Sequence, residues 1–198
     1  MNTPVKIARE QALAAKAWPF EEARRLLART EARKKAGKPA HIAMKCNSLS
    51  DEAVMDALYR ASAAGVKIEL QVRGKCCLRP GVPGLSDNIV VTSVVGRFLE
   101  HARLYYFANG GEEELLIGSA DMMLRNLDRR VEVLFPIKDP KLRARVRDSI
   151  LRVSLRDTAK CWQLLPEGSY ERRLPEGSDE PFNSQEHFML AGGSWREE

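Results

Sequence analysis

Two rhythms of apolar residues organise this chain. From Val66 to Val72 branched or apolar residues alternate with polar ones, the period of a half-buried strand. Upstream, Glu21 to Lys35 carries Ala23, Leu26 and Leu27 on one side and Arg or Lys around much of the rest, which predicts an amphipathic helix. Its acidic start and basic end suit the macrodipole, and Gly37-Lys38-Pro39 stops it. His41 to Lys45 is a short apolar-rich strand. Ser48 or Ser50 is placed to cap the next helix, whose first turn holds Asp51 and Glu52 and whose apolar face is Val54, Ala57, Leu58 and Ala61. That helix ends near Ala64, before Gly65. Strand, helix and strand with short joints make a βαβ unit, normally a right-handed crossover into a parallel sheet, hence an α/β domain.

Further strand patterns occupy Asn88 to Val95, Arg103 to Ala108, Glu114 to Ile117 and Val131 to Phe135, the last ended by Pro136. Asn109-Gly110-Gly111 predicts a tight turn, because these residues accept positive φ. Leu142 to Val153 reads as an amphipathic helix and Leu155 to Leu165 as a second, shorter one. The stretch beyond Pro166 is turn-rich, and Ala191 to Glu198 is expected to fray. Residues Val5 to Lys16 are Ala-rich with helical propensity, so residues 1–37 are expected to form a helical extension, 38–190 the domain and 191–198 a tail.

A chain of 198 residues can bury a self-sufficient core without disulfides or metals. No apolar run reaches spanning length and the first residues lack a signal-peptide core, which points to the cytoplasm, with peripheral association at a membrane as the variant that positive charge permits. Cys46, Cys76, Cys77 and Cys161 fit no zinc spacing and are expected to be reduced thiols, with Cys76 and Cys77 as packing residues rather than nucleophiles. The formal charge of +5 suits a polyanionic partner without naming it.

Candidate chemistry begins where the strand ending at Val72 meets a loop. Arg73 and Gly74 open it, Pro80, Gly81, Pro83 and Gly84 stiffen and turn it, and Lys75 and Arg79 add charge. Cations on a stiff loop beyond a strand's carboxyl end suit an anionic ligand. Of the three histidines, His101 follows Gly96-Arg97 and precedes Arg103 by two residues. Positions 101 and 103 of a strand share a face, so imidazole and guanidinium are expected to point into one site.

Read in order, Arg73-Gly74, Cys76 to Val82, Gly96-Arg97-Phe98-Leu99-Glu100-His101, Gly118-Ser119-Ala120-Asp121 and Arg125 to Glu132 resemble the second C-terminal domain of bacterial polyphosphate kinase. Lys45, Asn47-Ser48-Leu49, Asn183 and Gln185 extend the resemblance, which covers roughly residues 18 to 190. It implies a phospholipase D-like mixed sheet flanked by helices. In that superfamily two similar domains each contribute a histidine to one cleft, in the pattern His, any residue, Lys, four residues, Asp. Here His101 is kept, Arg103 stands for the Lys and Ala108 for the Asp, departures that argue against a phosphodiesterase pairing two copies.

The resemblance further implies an ATP–polyphosphate phosphotransferase. Arg73 would contact phosphates of ATP or the polymer end, and His101 would bind phosphate and act as acid or base. Lys45, Asn47, Arg79, Arg97 and Arg103 are weaker candidates for the same phosphate channel. The mixed charges of Asp121 to Glu132 leave open a buried ion network or ligand contacts. The phosphorylated histidine and the arginines that bind magnesium belong to a preceding domain with no counterpart here, so this chain alone is expected to bind ATP, ADP or polyphosphate without completing turnover. Its expected partners are inorganic polyphosphate, a nucleotide and that histidine-bearing domain or a companion chain, in a family that forms homo-oligomers; nucleic acid is not expected. A non-catalytic polyanion-binding module is the alternative that composition alone favours.

Overall fold

The computed structural model describes residues 23–123, 132–175, 177 and 179–191. Helix α1 spans residues 23–35. Strand β1 (His41–Cys46), helix α2 (Glu52–Ala63) and strand β2 (Lys67–Val72) follow, then β3 (Ile89–Val94), β4 (Leu104–Phe107), β5 (Glu114–Gly118) and β6 (Leu134–Pro136). Helix α3 (Pro140–Val146) runs through a π-helical turn (Arg147–Leu151) into α4 (Arg152–Leu155). The chain ends with β7 (Cys161–Leu164), β8 (Tyr170–Arg172) and helix α5 (Ser184–Ala191).

The eight strands among the described residues form one mixed sheet in the order β6-β5-β4-β1-β2-β3-β7-β8. The βαβ expectation holds: β1 pairs parallel with β2, and β2 with β3. The remaining neighbours are antiparallel and build two outer arms. Alternation along each strand sorts side chains between two helical layers. Ile42, Met44, Ile68, Leu70 and Phe107 join Leu26 and Leu27 of α1 and Leu58 of α2 in the larger core. Ala43, Leu104, Tyr106 and Leu115 face the other way and pack with Val146 and Leu151. A mixed sheet flanked by helices is the expected architecture; that it has eight strands among the described residues is the structure's addition.

Several elements depart from expectation. Asp51, not Ser48 or Ser50, caps α2, its carboxylate accepting from the Val54 N–H at 2.9 Å. Residues Leu155 to Leu165 do not form a helix. Asp157 turns the chain, accepting from the Lys160 N–H at 2.7 Å, and Cys161–Leu164 then pairs as a strand with β3 and β8. Strand β6 starts at Leu134 and includes Pro136, which an edge strand tolerates because no neighbour needs its missing N–H. Helix α5 lies inside the stretch expected to be turns. Helix α1 is no appendage: Ala23, Leu26 and Leu27 are buried in the core. The expected turn at Asn109-Gly110-Gly111 forms, with φ of 44°, 68° and 98°. The Ala-rich segment Val5 to Lys16 and most of the C-terminal tail lie outside the described residues.

Candidate phosphate-binding rim

The strand directions gather one set of chain ends on one rim of the sheet. Strands β1, β2, β3 and β5 end there, at Cys46, Val72, Val94 and Gly118, while β4, β6 and β7 begin there, at Leu104, Leu134 and Cys161. The residues just beyond these ends therefore converge: Asn47, Arg73, Gly96-Arg97, His101, Arg103, Ser119 and Lys160.

Arg73 follows β2, and its backbone is held at both groups. Its N–H donates to the Cys46 carbonyl at 3.1 Å, and its carbonyl accepts from Ser93 Oγ at 2.9 Å. The side chain is half-buried, and among the described residues no carboxylate pairs with it. His101 is exposed in the segment that enters β4, one strand away across β1. Thus Arg73 and His101 share a rim. The face-sharing argument for His101 and Arg103 does not apply, because β4 starts only at Leu104.

Arg103 is turned inward. Its Nε and Nη2 donate to the two oxygens of Asp121, each at 3.1 Å, while Nη1 reaches the His101 carbonyl at 3.3 Å. Burial lowers the Arg103 pKa, but the Asp121 carboxylate more than offsets it, so the net shift is upward. Asp121 also accepts from the backbone N–H of Asn47 at 2.8 Å and from its side-chain amide at 3.3 Å. Arg103 and Asn47 are therefore committed to one buried carboxylate, which settles Asp121 as part of an ion network. Arg125, Asp128 and Arg129 lie outside the described residues, while Glu132 accepts from the Ser119 hydroxyl.

Lys45 is likewise spent internally. Only 3% exposed, it donates to Gln71 Oε1 and Glu100 Oε2, both at 2.6 Å. Arg79 is carried off the rim altogether. Because β2 and β3 are parallel, the Gly/Pro loop must travel back along the sheet, and Arg79 ends against the β7–β8 turn, its Nε donating to the Pro166 carbonyl at 2.8 Å. Arg97 remains at the rim, exposed, with its guanidinium 5.6 Å from the Phe98 ring centroid. It lines, with Lys160, Phe98 and Gln185, a cavity of about 570 Å³.

Three further residues of this neighbourhood carry no role in the sequence reading: Glu100, Gln185 and Lys160. Glu100 and Gln185 had a signal, since both stand inside the stretches that carry the resemblance. The cysteines are all free; burial raises the Cys46 thiol pKa, with the nearby Asp121 adding to it, and burial pushes Cys76 up to about 11. Among the described residues no group of three or more His, Cys, Asp or Glu side chains is arranged for a metal ion. The donors on the rim are cationic or neutral and fit phosphate oxygens rather than a cation. No helix among the described residues is long and apolar enough to cross a membrane.

Fold and rim together are those of an α/β domain that collects cationic side chains beyond its strand ends. The family model described as polyphosphate kinase C-terminal domain 2 matches residues 17–185. Polyphosphate kinase of Pseudomonas aeruginosa is 53% identical over 160 residues, 81% of this chain and 23% of that protein. Polyphosphate kinase 1 of Chlorobaculum tepidum is 56% identical over 158 residues, 80% of this chain and 22% of that protein. The crystal structure of polyphosphate kinase from Porphyromonas gingivalis superposes with a TM-score of 0.81 at 40% identity, covering 87% of this chain and 26% of that one. The chain belongs to the polyphosphate kinase C-terminal domain 2 family, and it spans about a quarter of the length of these relatives.

Proposed function

We propose that this domain binds the phosphates of ATP and of polyphosphate through Arg73 and His101 and contributes them to reversible phosphoryl transfer. The observation that carries this reading is selective availability. Lys45, Asn47, Arg79 and Arg103 each have internal partners, whereas Arg73 reaches the rim with no carboxylate partner among the described residues and His101 is exposed on the same rim, with β1 between their strands. Phosphoryl transfer asks mainly for positioning and for stabilisation of charge on the transferred group. A guanidinium supplies fixed positive charge, and an imidazole can hold or release a proton near neutral pH.

Arg97 and Lys160 extend positive charge along the rim, in keeping with a chain-like polyanion. The phosphorylated histidine, and the side chains that hold magnesium, are assigned to a domain outside this chain. A magnesium ion held there would supply neutralisation of phosphate charge, while this chain's residues would grip and orient the phosphates. Four free thiols fit the reduced cytoplasm.

The test is calorimetric titration of the chain with tripolyphosphate and with ATP in magnesium buffer. Arg73→Ala should weaken binding by roughly 10-fold or more, the scale of lost charge-assisted hydrogen bonds. Equal affinity for wild type and Arg73→Ala would overturn the reading. Incubation with ATP, magnesium and polyphosphate should yield no polymer growth from this chain alone; robust synthesis would refute the division of labour.

A further inference from the structure

The segment between β3 and β4 that delivers His101 has little backbone support. Among the described residues the backbone of 96–102 makes no backbone–backbone hydrogen bond, and Phe98 and Leu99 are 46% and 73% exposed. Side chains hold it instead. Gln185 of α5, 5% exposed, accepts from the Phe98 N–H at 3.0 Å through Oε1. Its Nε2 donates to the Phe98 carbonyl at 2.9 Å and to Glu100 Oε1 at 2.7 Å. One amide thus clamps both backbone groups of Phe98 and the carboxylate next to His101, using its acceptor and both N–H groups.

The second oxygen of Glu100 accepts from Lys45, and Lys45 is tied through Gln71 to the Ser154 carbonyl, which accepts from Gln71 Nε2 at 2.9 Å. Gln185 is itself seated: its N–H donates to Asn183 Oδ1 at 3.1 Å, and neighbouring Ser184 is bound by Asp157 through its N–H at 2.8 Å. The approach is so close that a side chain at Gly96 would have to displace this amide, since a Cβ would lie 2.5 Å from Gln185 Oε1. Lys45, Gly96 to Glu100 and Gln185, scattered along the chain, converge on one loop.

We infer that Gln185 and Lys45 are positioning residues that act through Glu100 and the Phe98 peptide to hold His101 at the phosphate. The inference rests on the reading of His101 as a phosphate ligand. If the clamp works through His101, its loss matters only while His101 is present, a non-additivity that a double-mutant cycle measures and that a general loss of packing would not produce.

Tripolyphosphate affinity is measured by calorimetry for wild type, Gln185→Ala, His101→Ala and the double variant, with thermal melts to confirm folding. Gln185→Ala should weaken binding roughly 5–10-fold, the scale of one or two hydrogen bonds, and by less than about twofold in the His101→Ala background. The same factor in both backgrounds, or no effect beside an effective His101→Ala, overturns the inference alone. A silent His101→Ala brings down the reading of His101 and the inference with it. Should Gln185→Ala not fold, Gly96→Ala presses on the same amide from the loop side and carries the same expectation.

Discussion

Removing the Asp121 carboxylate offers the sharpest check on how the rim is built. Asp121 is 6% exposed and serves two strands at once: it accepts from Nε and Nη2 of Arg103, at the entrance to β4, and from the backbone N–H and side-chain amide of Asn47, at the exit of β1. Asp121→Ala strands the Arg103 guanidinium, whose side chain is 10% exposed. Breaking one partner of a buried pair costs about 3–5 kcal/mol. The freed Asn47 N–H adds to this, but the two losses share one site and do not sum. With stabilities of about 5–15 kcal/mol typical of single domains, the variant should be much closer to unfolding, its melting temperature lower by roughly 6–20 °C. Urea unfolding followed by circular dichroism reads this as a lower midpoint at constant slope. Asp121→Asn, which keeps an acceptor for the Asn47 N–H, should lose less. Adding Arg103→Met to Asp121→Ala should recover part of the loss, because no buried charge is then left alone. A shift below about 1 kcal/mol, or strict additivity of the two substitutions, would refute the account.

Other perturbations have equally definite outcomes. Gly118→Ala would place a Cβ 2.1 Å from the Val133 carbonyl oxygen and 2.9 Å from Leu134 Cα, both backbone, so β5 and β6 must part; a loss of about 1–3 kcal/mol or more in urea unfolding is expected, and an unchanged midpoint would contradict it. The hydrogen bond from His41, helped by Lys67 against the effect of burial, holds the Glu69 carboxyl at about 2 rather than 4.5. Its contribution is complete above the ordinary carboxylate range and is lost as pH falls toward 2. The stability gap between wild type and His41→Ala should therefore narrow between pH 5 and pH 2, and a gap constant across that window would show no such linkage. Thiol labelling of the native chain should modify exposed Cys77 first and buried Cys46 only on unfolding; fast labelling of Cys46 would mean the core opens there.

What the sequence disclosed and what it hid follow from the range of the forces involved. The centre, β1-α2-β2, is written in local periodicity, since each residue's partner face repeats every two or 3.6 positions. Strand β7 is only four residues long, too short to display a period, and its identity comes from pairing with β3 far upstream. Helix α5 carried a local sign that went unused: the Asn183 side chain accepts from the N–H groups of Gln185 and Glu186, an N-terminal cap. At the site, Arg73 and His101 came from a resemblance, and topology placed them on one rim. Charge alone is a poor guide to three of the others. Lys45, Arg79 and Arg103 look like free cations in the sequence, yet their partners Glu100, Pro166 and Asp121 lie 55, 87 and 18 residues away. No local pattern encodes such distances.

The place of α1 bears on where this unit can be excised. A recombinant version beginning at Lys38, at the start of the apparent α/β core, would discard Ala23, Leu26 and Leu27 and leave their side of the sheet wet. Each of the two leucines represents about 1.5–3 kcal/mol of burial. The same cut would release Arg29 from Glu114 at 2.7 Å and Arg33 from Glu112 at 2.8 Å, links that fasten the helix across the β4–β5 hairpin. Expression boundaries drawn from strand patterns alone would therefore yield a destabilised product, and its failure to bind would say nothing about the phosphate rim on the folded protein.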